Sequence, residues 1–181
     1  MLVPIFDLDG TLLDSDAALI APFLALGIPE HEVTFGRTLE HECARLGITV
    51  AEYLDRYDVN LAQPYAGVDE LLVELDRWAV CSNKEVVSGR AELERLGWNP
   101  DVAMFADDFG GPKELGPVVD ALGLLGRDVV FVGDTEHDRR CAAVIGCRFA
   151  VAGWNVRADG LRGDVVLGRP LDLLDVLRRG L

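Results

Sequence analysis

The sequence predicts an α/β fold in which a parallel sheet is covered by helices on both faces. Short apolar runs alternate with amphipathic helical patterns along most of the 181 residues, and such alternation favours parallel strands joined by crossover helices. Residues 15–64 break the alternation, because they carry helical patterns and turn signals but no clear strand. We therefore expect one core, formed by residues 1–14 and 65–181, with a short all-helical segment inserted after the first strand.

The strands are predicted from apolar runs bounded by polar or turn residues. The stronger candidates are Leu2–Phe6, Trp78–Cys81 and Asp128–Val132, and the weaker ones are Cys147–Val151 and Asp164–Leu167. Pro4 conflicts with the first strand, because a proline removes a ladder donor and is usually confined to an edge. We keep this strand in the prediction and note the conflict.

Helices are predicted between the strands, where apolar residues recur at helical spacing. They cover Val68–Asp76, Val86–Leu96, Glu114–Leu124, Asp138–Ile145 and Leu171–Arg179. Glycine follows several of these segments, including Gly97 and Gly146, at the position where helices often end. The helical boundaries thus support the alternation of strands and helices.

Composition and charge limit the classes of function. The chain has 31 acidic and 17 basic residues and a net charge of −14, so it should repel nucleic-acid backbones and anionic membrane surfaces. The longest run without a charged residue has 13 residues, Ala17 to Pro29, which is too short to span a bilayer. MLVPIFDLDG shows no signal peptide, and the four cysteines show no zinc-ligand spacing. We expect a cytoplasmic protein with reduced thiols that binds neither nucleic acid nor membrane.

Three of the predicted strands run into polar clusters. The clusters are Asp7-Leu8-Asp9-Gly10-Thr11, Ser82-Asn83-Lys84 and Gly133-Asp134, the last followed by Asp138. Because ligands bind at the carboxyl ends of strands in an open parallel sheet, we expect the clusters to converge. The four aspartates would then need a compensating cation, since like charges in a small space otherwise force protonation. Hard oxygen ligands predict Mg²⁺.

The two lysines of the chain stand out, because the other fifteen basic residues are arginine. A lysine in such a chain indicates a place that needs a compact point charge. Lys113 begins a helical pattern just before the Asp128–Val132 strand. From there it could reach the crevice, balance the carboxylates and hold a phosphoryl oxygen. Lys84 lies in the second cluster and could act similarly, so it remains the alternative to Lys113.

These segments resemble the four motifs of the haloacid dehalogenase superfamily, in the same order and with similar gaps. DLDGTLLDSD is similar to the first motif in the form found in its phosphatases and phosphomutases. VCSNK, PKELGP and FVGDTEHD are similar to the second, third and fourth. PYAGVDELL and FADDFGGPK resemble the phosphoglycolate-phosphatase-like branch. The resemblance covers nearly the whole chain and implies a Rossmann-like core with residues 15–64 as a small helical cap. This cap is shorter than usual for the branch, so both a monomer and a homodimer remain open.

The resemblance also implies roles for the residues that match the motifs. Asp7 would be the nucleophile that forms a phosphoaspartyl intermediate. Asp9 would be the general acid for the leaving group and then the base for the attacking water. The side chains of Asp7 and Asp134 and the backbone carbonyl of Asp9 would hold Mg²⁺. Asp138 would orient the waters of the metal or Lys113.

Further residues would contact the substrate. The phosphate contacts implied by the resemblance are Gly10, Thr11, Ser82, Asn83 and Lys113. Ser82 and Lys113 would also stabilise the transferring phosphoryl group and so belong to the catalytic set. Arg37, in the helical insert, is a candidate contact to the rest of the substrate.

The sequence thus predicts a Mg²⁺-dependent phosphatase for a small phosphorylated metabolite resembling phosphoglycolate or a sugar phosphate. A phosphomutase of the same superfamily remains an alternative, because only product analysis separates the two reactions. Asp9 counts against a dehalogenase, which would not need an acid there. An alternative from another class is a non-catalytic regulator that binds Mg²⁺ or phosphate and retains the fold. The presence of both a nucleophile and an acid disfavours it.

Overall fold

Parallel strand pairing organises the core of the protein. The computed structural model describes residues 2–35 and 37–179. The strands in chain order are β1 (Val3–Phe6), β2 (Leu13–Asp14), β3 (Gln63–Pro64), β4 (Ala79–Cys81), β5 (Val102–Met104), β6 (Val129–Gly133), β7 (Arg148–Ala152) and β8 (Val165–Leu167). Six of them form a parallel sheet in the order β5-β4-β1-β6-β7-β8. The predicted α/β fold with a parallel sheet is confirmed.

The helices connect the strands and cover both faces of the sheet. They are α1 (Asp16–Ala25), α2 (Leu39–Leu46), α3 (Val50–Leu54), α4 (Val68–Val73), α5 (Val86–Leu96), α6 (Ala106–Phe109), α7 (Leu115–Leu122), α8 (Glu136–Ile145) and α9 (Asp172–Arg179). Helices α4, α5 and α9 pack on one face, and α7 and α8 pack on the other. Among the described residues, no helix is both long and apolar enough to cross a membrane.

The two apolar cores follow from the alternation of side chains along the strands. In β1, Phe6 packs into the core beneath α4, α5 and α9, whereas Ile5 packs into the core beneath α7 and α8. In β6, Val130 and Phe131 divide in the same way. Because both faces are buried, the strands are continuously apolar, which is the signal by which the sequence predicts them.

Pro4 lies in β1, an interior strand of the sheet, although proline is usually confined to edge strands. β1 pairs with β6 at all four of its residues, from Val3 to Phe6. Its pairing with β4 starts only at Ile5, after the proline. The N–H that Pro4 lacks is therefore not needed for pairing with β4, because that pairing begins one residue later.

All five predicted strands are present; three begin one residue later than predicted, and β6 and β7 are displaced by one residue at both ends. The sequence prediction missed β5, which has only three half-buried residues at the edge of the sheet. It also missed the two-residue strands β2 and β3. The predicted helix Val68–Asp76 ends three residues early, at Val73. Met1, Gly36, Gly180 and Leu181, which fall in the predicted segments, lie outside the described residues.

Residues 15–64, here called the helical segment, contain α1, α2, α3 and two 3-10 turns, Glu30–Glu32 and Val59–Leu61. A separate small apolar cluster of Phe23, Cys43 and Tyr53 holds these helices together. The antiparallel pairing of Leu13 with Pro64 brings the two ends of the segment side by side. The segment thus leaves the core and returns to it through one short ribbon.

Candidate active site

The three polar clusters meet at the carboxyl edge of the sheet, as predicted. Asp7 directly follows β1, Ser82 follows β4 and Asp134 follows β6. β1 lies between β4 and β6 in the sheet. The chain continues from β4 to β5 on one side of β1 and from β6 to β7 on the other, which leaves a crevice at the carboxyl end of β1. These residues line a cavity of about 100 Å³ that Phe35 and Tyr57 of the helical segment line from the other side.

Lys113 lines the cavity and lies between two carboxylates. Its Nζ is 2.8 Å from Asp7 Oδ1 and 2.6 Å from Asp138 Oδ1, and the lysine is buried. The carboxylates of Asp7, Asp134 and Asp138 each place an oxygen within 4.8 Å of the others. We call Asp7, Lys113, Asp134 and Asp138 the Lys113 centre.

Carboxylate charge exceeds cationic charge in the Lys113 centre. Burial raises the pKa of Asp7 to about 7 against the opposing effect of Lys113, and Asp138 and Asp134 add to the increase. Burial, followed by the charge of Asp138, raises the pKa of Asp134 to about 6. Burial lowers the pKa of Lys113, but Asp138 and Asp7 outweigh it and hold that pKa well above its ordinary value. The lysine therefore stays a cation, while the carboxylates require further positive charge.

A second buried lysine lies beside Asp9. Lys84 Nζ is 2.9 Å from Asp9 Oδ1 and 3.1 Å from Glu92 Oε1, and it donates to the Tyr57 hydroxyl at 2.9 Å. The same Tyr57 hydroxyl donates to Glu92 Oε1. We call Asp9, Tyr57, Lys84 and Glu92 the Lys84 centre. The two lysines thus contact different aspartates, with Lys113 on Asp7 and Lys84 on Asp9.

The pKa values of Glu92, Lys84 and Tyr57 in the Lys84 centre all lie above their ordinary values. Burial raises the pKa of Glu92 to about 7, although Lys84 opposes this change. Burial lowers the pKa of Lys84, but Asp9 and Glu92 outweigh it, so that pKa lies above its ordinary value. Burial and the nearby Asp9 and Glu92 charges raise the pKa of Tyr57 far above the ordinary range. Its hydroxyl therefore keeps its proton and remains a donor.

Asp134 is held in place by residues from two loops. Thr11 Oγ1 donates to Asp134 Oδ1 at 3.3 Å, and Asn155 Nδ2 donates to Asp134 Oδ2 and to the Gly10 carbonyl, both at 2.9 Å. Gly10 has φ +79°, and a Cβ there would lie 2.4 Å from Asp134 Oδ2. Only glycine suits this position. The side chain of Thr11 thus points at Asp134, and the phosphate contacts predicted for Gly10 and Thr11 stay predictions.

The second cluster is tied to the third motif. Asn83 Oδ1 accepts a hydrogen bond from the Lys113 backbone N–H at 2.7 Å. Ser82 Oγ accepts from the Lys84 backbone N–H at 3.3 Å. Ser82, Asn83 and both lysines all line the cavity. The structure therefore brings these predicted phosphate contacts together around Asp7.

Residues of the helical segment line the opposite wall of the cavity. Arg37 lines it, with Nη1 2.6 Å from His41 Nε2, and its contact to substrate stays a prediction. Arg157 connects the core to the segment: Nη1 lies 2.6 Å from Asp16 Oδ1, and the guanidinium lies 4.4 Å from the centre of the Phe35 ring. Arg157 Nη2 also lies 3.5 Å from Asp134 Oδ2.

Sequence reasoning missed four residues around the site: Tyr57, Glu92, Asn155 and Arg157. Glu92 carries a signal that could have found it, because it occupies an inward position of α5 beside Leu93 and is fully buried. An acid on the apolar face of an amphipathic helix indicates a buried partner. Tyr57 and Asn155 lie in irregular loop segments and Arg157 in a 3-10 turn, Val156–Ala158, and none of the three carries such a signal.

The donor set of the Lys113 centre suits a hard divalent cation. Its three carboxylates offer oxygen ligands within 4.8 Å of one another, and oxygen ligands are those that Mg²⁺ prefers. Burial and the charge of Asp138 raise the pKa values of Asp7 and Asp134. A bound cation would favour their ionised forms.

Comparisons with known proteins agree with this arrangement. The family model described as haloacid dehalogenase-like hydrolase matches residues 4–152. The chain is 29% identical to N-acetylmuramic acid 6-phosphate phosphatase of Pseudomonas aeruginosa, over 98% of this chain and 95% of that protein. It is 29% identical to phosphoglycolate phosphatase of Xanthomonas campestris, over 84% and 83%. Among solved structures, a hydrolase from Pseudomonas syringae aligns with a TM-score of 0.79 at 21% identity, over 99% and 98%.

Proposed function

Because the chain belongs to the haloacid dehalogenase-like hydrolases, we propose that it hydrolyses a small phosphate monoester with Mg²⁺, through a phosphoaspartyl intermediate on Asp7. Two relatives named as phosphatases support the reaction class. The Lys113 centre carries the proposal, since Asp7 faces the cavity 2.8 Å from a buried ammonium group. A carboxylate so placed can attack a phosphate whose negative charge is neutralised.

The metal would be held by the side chains of Asp7 and Asp134 and the backbone carbonyl of Asp9, with Asp138 beside them. The excess of carboxylate charge over cationic charge supports this assignment. When bound, Mg²⁺ would supply positive charge that reduces repulsion between the nucleophile and the phosphate dianion.

Asp7 would attack phosphorus while the bond from phosphorus to the leaving oxygen breaks. Two donors fix Asp7 Oδ1, the Leu8 backbone N–H at 2.8 Å and Lys113 Nζ at 2.8 Å. This contact pattern favours Oδ2 as the attacking oxygen. Lys113 would also donate to a phosphoryl oxygen and stabilise the charge that develops during transfer.

Asp9 would serve both halves of the reaction. It would give its proton to the leaving oxygen and later take a proton from the water that attacks the phosphoaspartyl group. Inorganic phosphate then leaves and Asp7 is regenerated. Ser82 and Asn83, together with Gly10 and Thr11, would hydrogen-bond the phosphoryl oxygens.

The helical segment, residues 15–64, would act as a cap on the core formed by residues 1–14 and 65–181. The short ribbon at its ends and its contribution to the cavity wall support this role. Arg37 would contact the part of the substrate beyond the phosphate. We further propose a cytoplasmic enzyme that acts as a monomer or homodimer on a small phosphorylated metabolite.

The test is phosphate release from a panel of phosphoglycolate, sugar phosphates, nucleotides and an aryl phosphate. Wild type is assayed with Mg²⁺ and with EDTA, beside Asp7→Asn and Asp120→Asn, the latter on an exposed position of α7. We expect release that requires Mg²⁺ and Asp7 and is unaffected by Asp120→Asn.

Other outcomes would contradict the proposal in recognisable ways. Equal release by wild type and Asp7→Asn would remove Asp7 as the nucleophile. A folded wild type that binds Mg²⁺ but releases no phosphate would favour a phosphomutase or a non-catalytic regulator. Transfer of labelled phosphate between sugar phosphates would then separate these two.

A further inference from the structure

We propose that Glu92 is a positioning residue for proton transfer, because it anchors Lys84, which in turn holds the Asp9 carboxylate. The inference rests on the proposed role of Asp9 as general acid. Glu92 lies in α5, outside the four motifs, and its carboxylate contacts Lys84 and Tyr57 rather than Asp9. Its effect on the reaction would therefore pass through Lys84.

Glu92 is fully buried in the folded protein. Its relative exposure is 0%, and α5 directs it inward beside Leu93. A carboxylate in such a place costs free energy unless it is paired, and an apolar side chain of similar volume is often as stable or more so. Packing alone therefore does not explain why an acid occupies this position.

Lys84 is surrounded by as many acceptors as it has donors. An ammonium group has three N–H donors, and Lys84 Nζ has three acceptors, on Asp9, Tyr57 and Glu92, at 2.9, 2.9 and 3.1 Å. These acceptors come from the loop after β1, from the helical segment and from α5. Each donor therefore has its own acceptor, and the orientation of the ammonium is determined from three sides.

Removing one acceptor would release this orientation. Without the Glu92 carboxylate, Lys84 keeps two acceptors and gains freedom to turn toward other anions in the cavity, including the phosphate. The Asp9 carboxylate, whose Oδ1 the lysine holds, would then be placed less accurately for proton transfer. General acid catalysis is sensitive to such displacement, because the acid must lie within hydrogen-bond reach of the leaving oxygen.

The leaving group provides a test that a purely structural role would not pass. An alkoxide needs a proton in order to leave, whereas p-nitrophenolate is a stable anion and needs much less assistance. The parameter kcat/KM covers the steps up to departure of this first product, and so excludes the later attack of water. A displaced Asp9 should therefore slow an alkyl phosphate selectively.

The experiment compares kcat/KM for p-nitrophenyl phosphate and for the alkyl phosphate that wild type hydrolyses fastest, with Mg²⁺ present. The variants are Glu92→Leu, the isosteric Glu92→Gln and Glu94→Leu, an exposed glutamate of the same helix as matched control. Glu92→Leu should lower the alkyl value about tenfold and the aryl value less than about twofold. Glu92→Gln, which keeps an acceptor oxygen, should restore part of the loss, and Glu94→Leu should change neither value.

Two results would overturn the inference. Equal losses for both substrates, or no loss for either, would mean that Glu92 does not act through the acid–base step. Should Glu92→Leu fail to fold, the isosteric Glu92→Gln decides the question by the same ratio. A wild type inactive on both substrates would instead contradict the proposed phosphatase, and the role of Glu92 with it.

Discussion

The Lys113 centre and the Lys84 centre have a similar plan but different surroundings. Each places a buried ammonium between two carboxylates at the carboxyl edge of the sheet. The partners of Lys113 all come from the core, whereas Lys84 also contacts Tyr57 of the helical segment. The Lys113 centre can therefore form on the core alone, whereas the Lys84 centre is complete only when the helical segment is in place.

The two centres also differ in charge. The Lys113 centre has three carboxylates for one lysine, and the Lys84 centre has two carboxylates and a neutral hydroxyl. The three carboxylates of the Lys113 centre lie within 4.8 Å of one another, close enough to share a cation, which agrees with a metal beside Asp7 and with proton transfer at Asp9. Substitutions in the two centres should therefore have different effects on catalysis and stability.

The largest effect is expected from Lys113→Met. Loss of the ammonium beside Asp7 removes charge stabilisation of the transferring phosphoryl group, so kcat/KM should fall about 10²- to 10³-fold for both alkyl and aryl phosphates. Lys113→Arg, which keeps the charge but changes its shape, should lose less. Circular dichroism in Mg²⁺ verifies folding, and a loss confined to alkyl phosphates would contradict the assignment.

Lys84→Met should produce a smaller and selective effect. Its ammonium holds Asp9, so kcat/KM for an alkyl phosphate should fall about 30-fold, within the range that general acid catalysis contributes. The value for p-nitrophenyl phosphate should change by no more than about threefold, since that leaving group needs little protonation. A uniform loss for both substrates would place Lys84 at the phosphoryl group, as an equivalent of Lys113.

Stability against pH should distinguish the centres without any turnover. The folded protein holds the pKa of Asp7 near 7 and that of Asp134 near 6, above the value of about 4 in an unfolded chain. Their contribution to stability is full below pH about 4 and is lost as pH rises through 6 to 7. The melting temperature of metal-free protein should therefore fall between pH 5 and 8.

Mg²⁺ should reverse only part of the fall in melting temperature between pH 5 and 8. At about 100 times its dissociation constant, the ion should raise the melting temperature at pH 8 by roughly 5–10 °C. Asp134→Asn should abolish most of that increase. Glu92, with a pKa of about 7, adds a fall that Mg²⁺ does not reverse and that Glu92→Gln removes. An equal fall in melting temperature between pH 5 and 8 for wild type and Glu92→Gln, both with Mg²⁺, would show that Glu92 does not ionise in this range.

The smallest effect is expected from Tyr57→Phe. The substitution removes one hydroxyl from the Lys84 centre and keeps the aromatic ring, which stacks on Tyr53 at 5.9 Å. Loss of such a hydrogen bond should lower kcat/KM for an alkyl phosphate about threefold, and leave an aryl phosphate nearly unchanged. Tyr65→Phe serves as the control tyrosine. A loss greater than that of Lys84→Met would contradict the order of effects.

The sequence was sufficient for five of the six strands of the parallel sheet, for the three polar clusters and for the importance of the two lysines. The lysines were distinguished by composition alone, and both prove to be buried at the site. The sequence was insufficient for Glu92, because a helical glutamate is usually solvated and only the rotation of α5 shows that this one is buried. It was also insufficient for Asn155, since nothing in its turn points toward Asp134.

The convergence of several aspartates follows from the amino-acid sequence, because the carboxyl ends of parallel strands meet at one edge of the sheet and polar residues mark the end of each strand. Which carboxylate each lysine contacts follows only from the packing of the folded chain. Lys84 and Asp9 are separated by 75 residues, and their contact at 2.9 Å depends on the packing of α5 and of the helical segment against the core. Ion pairs form over a few ångströms, so they are decided by side-chain placement that no local pattern encodes.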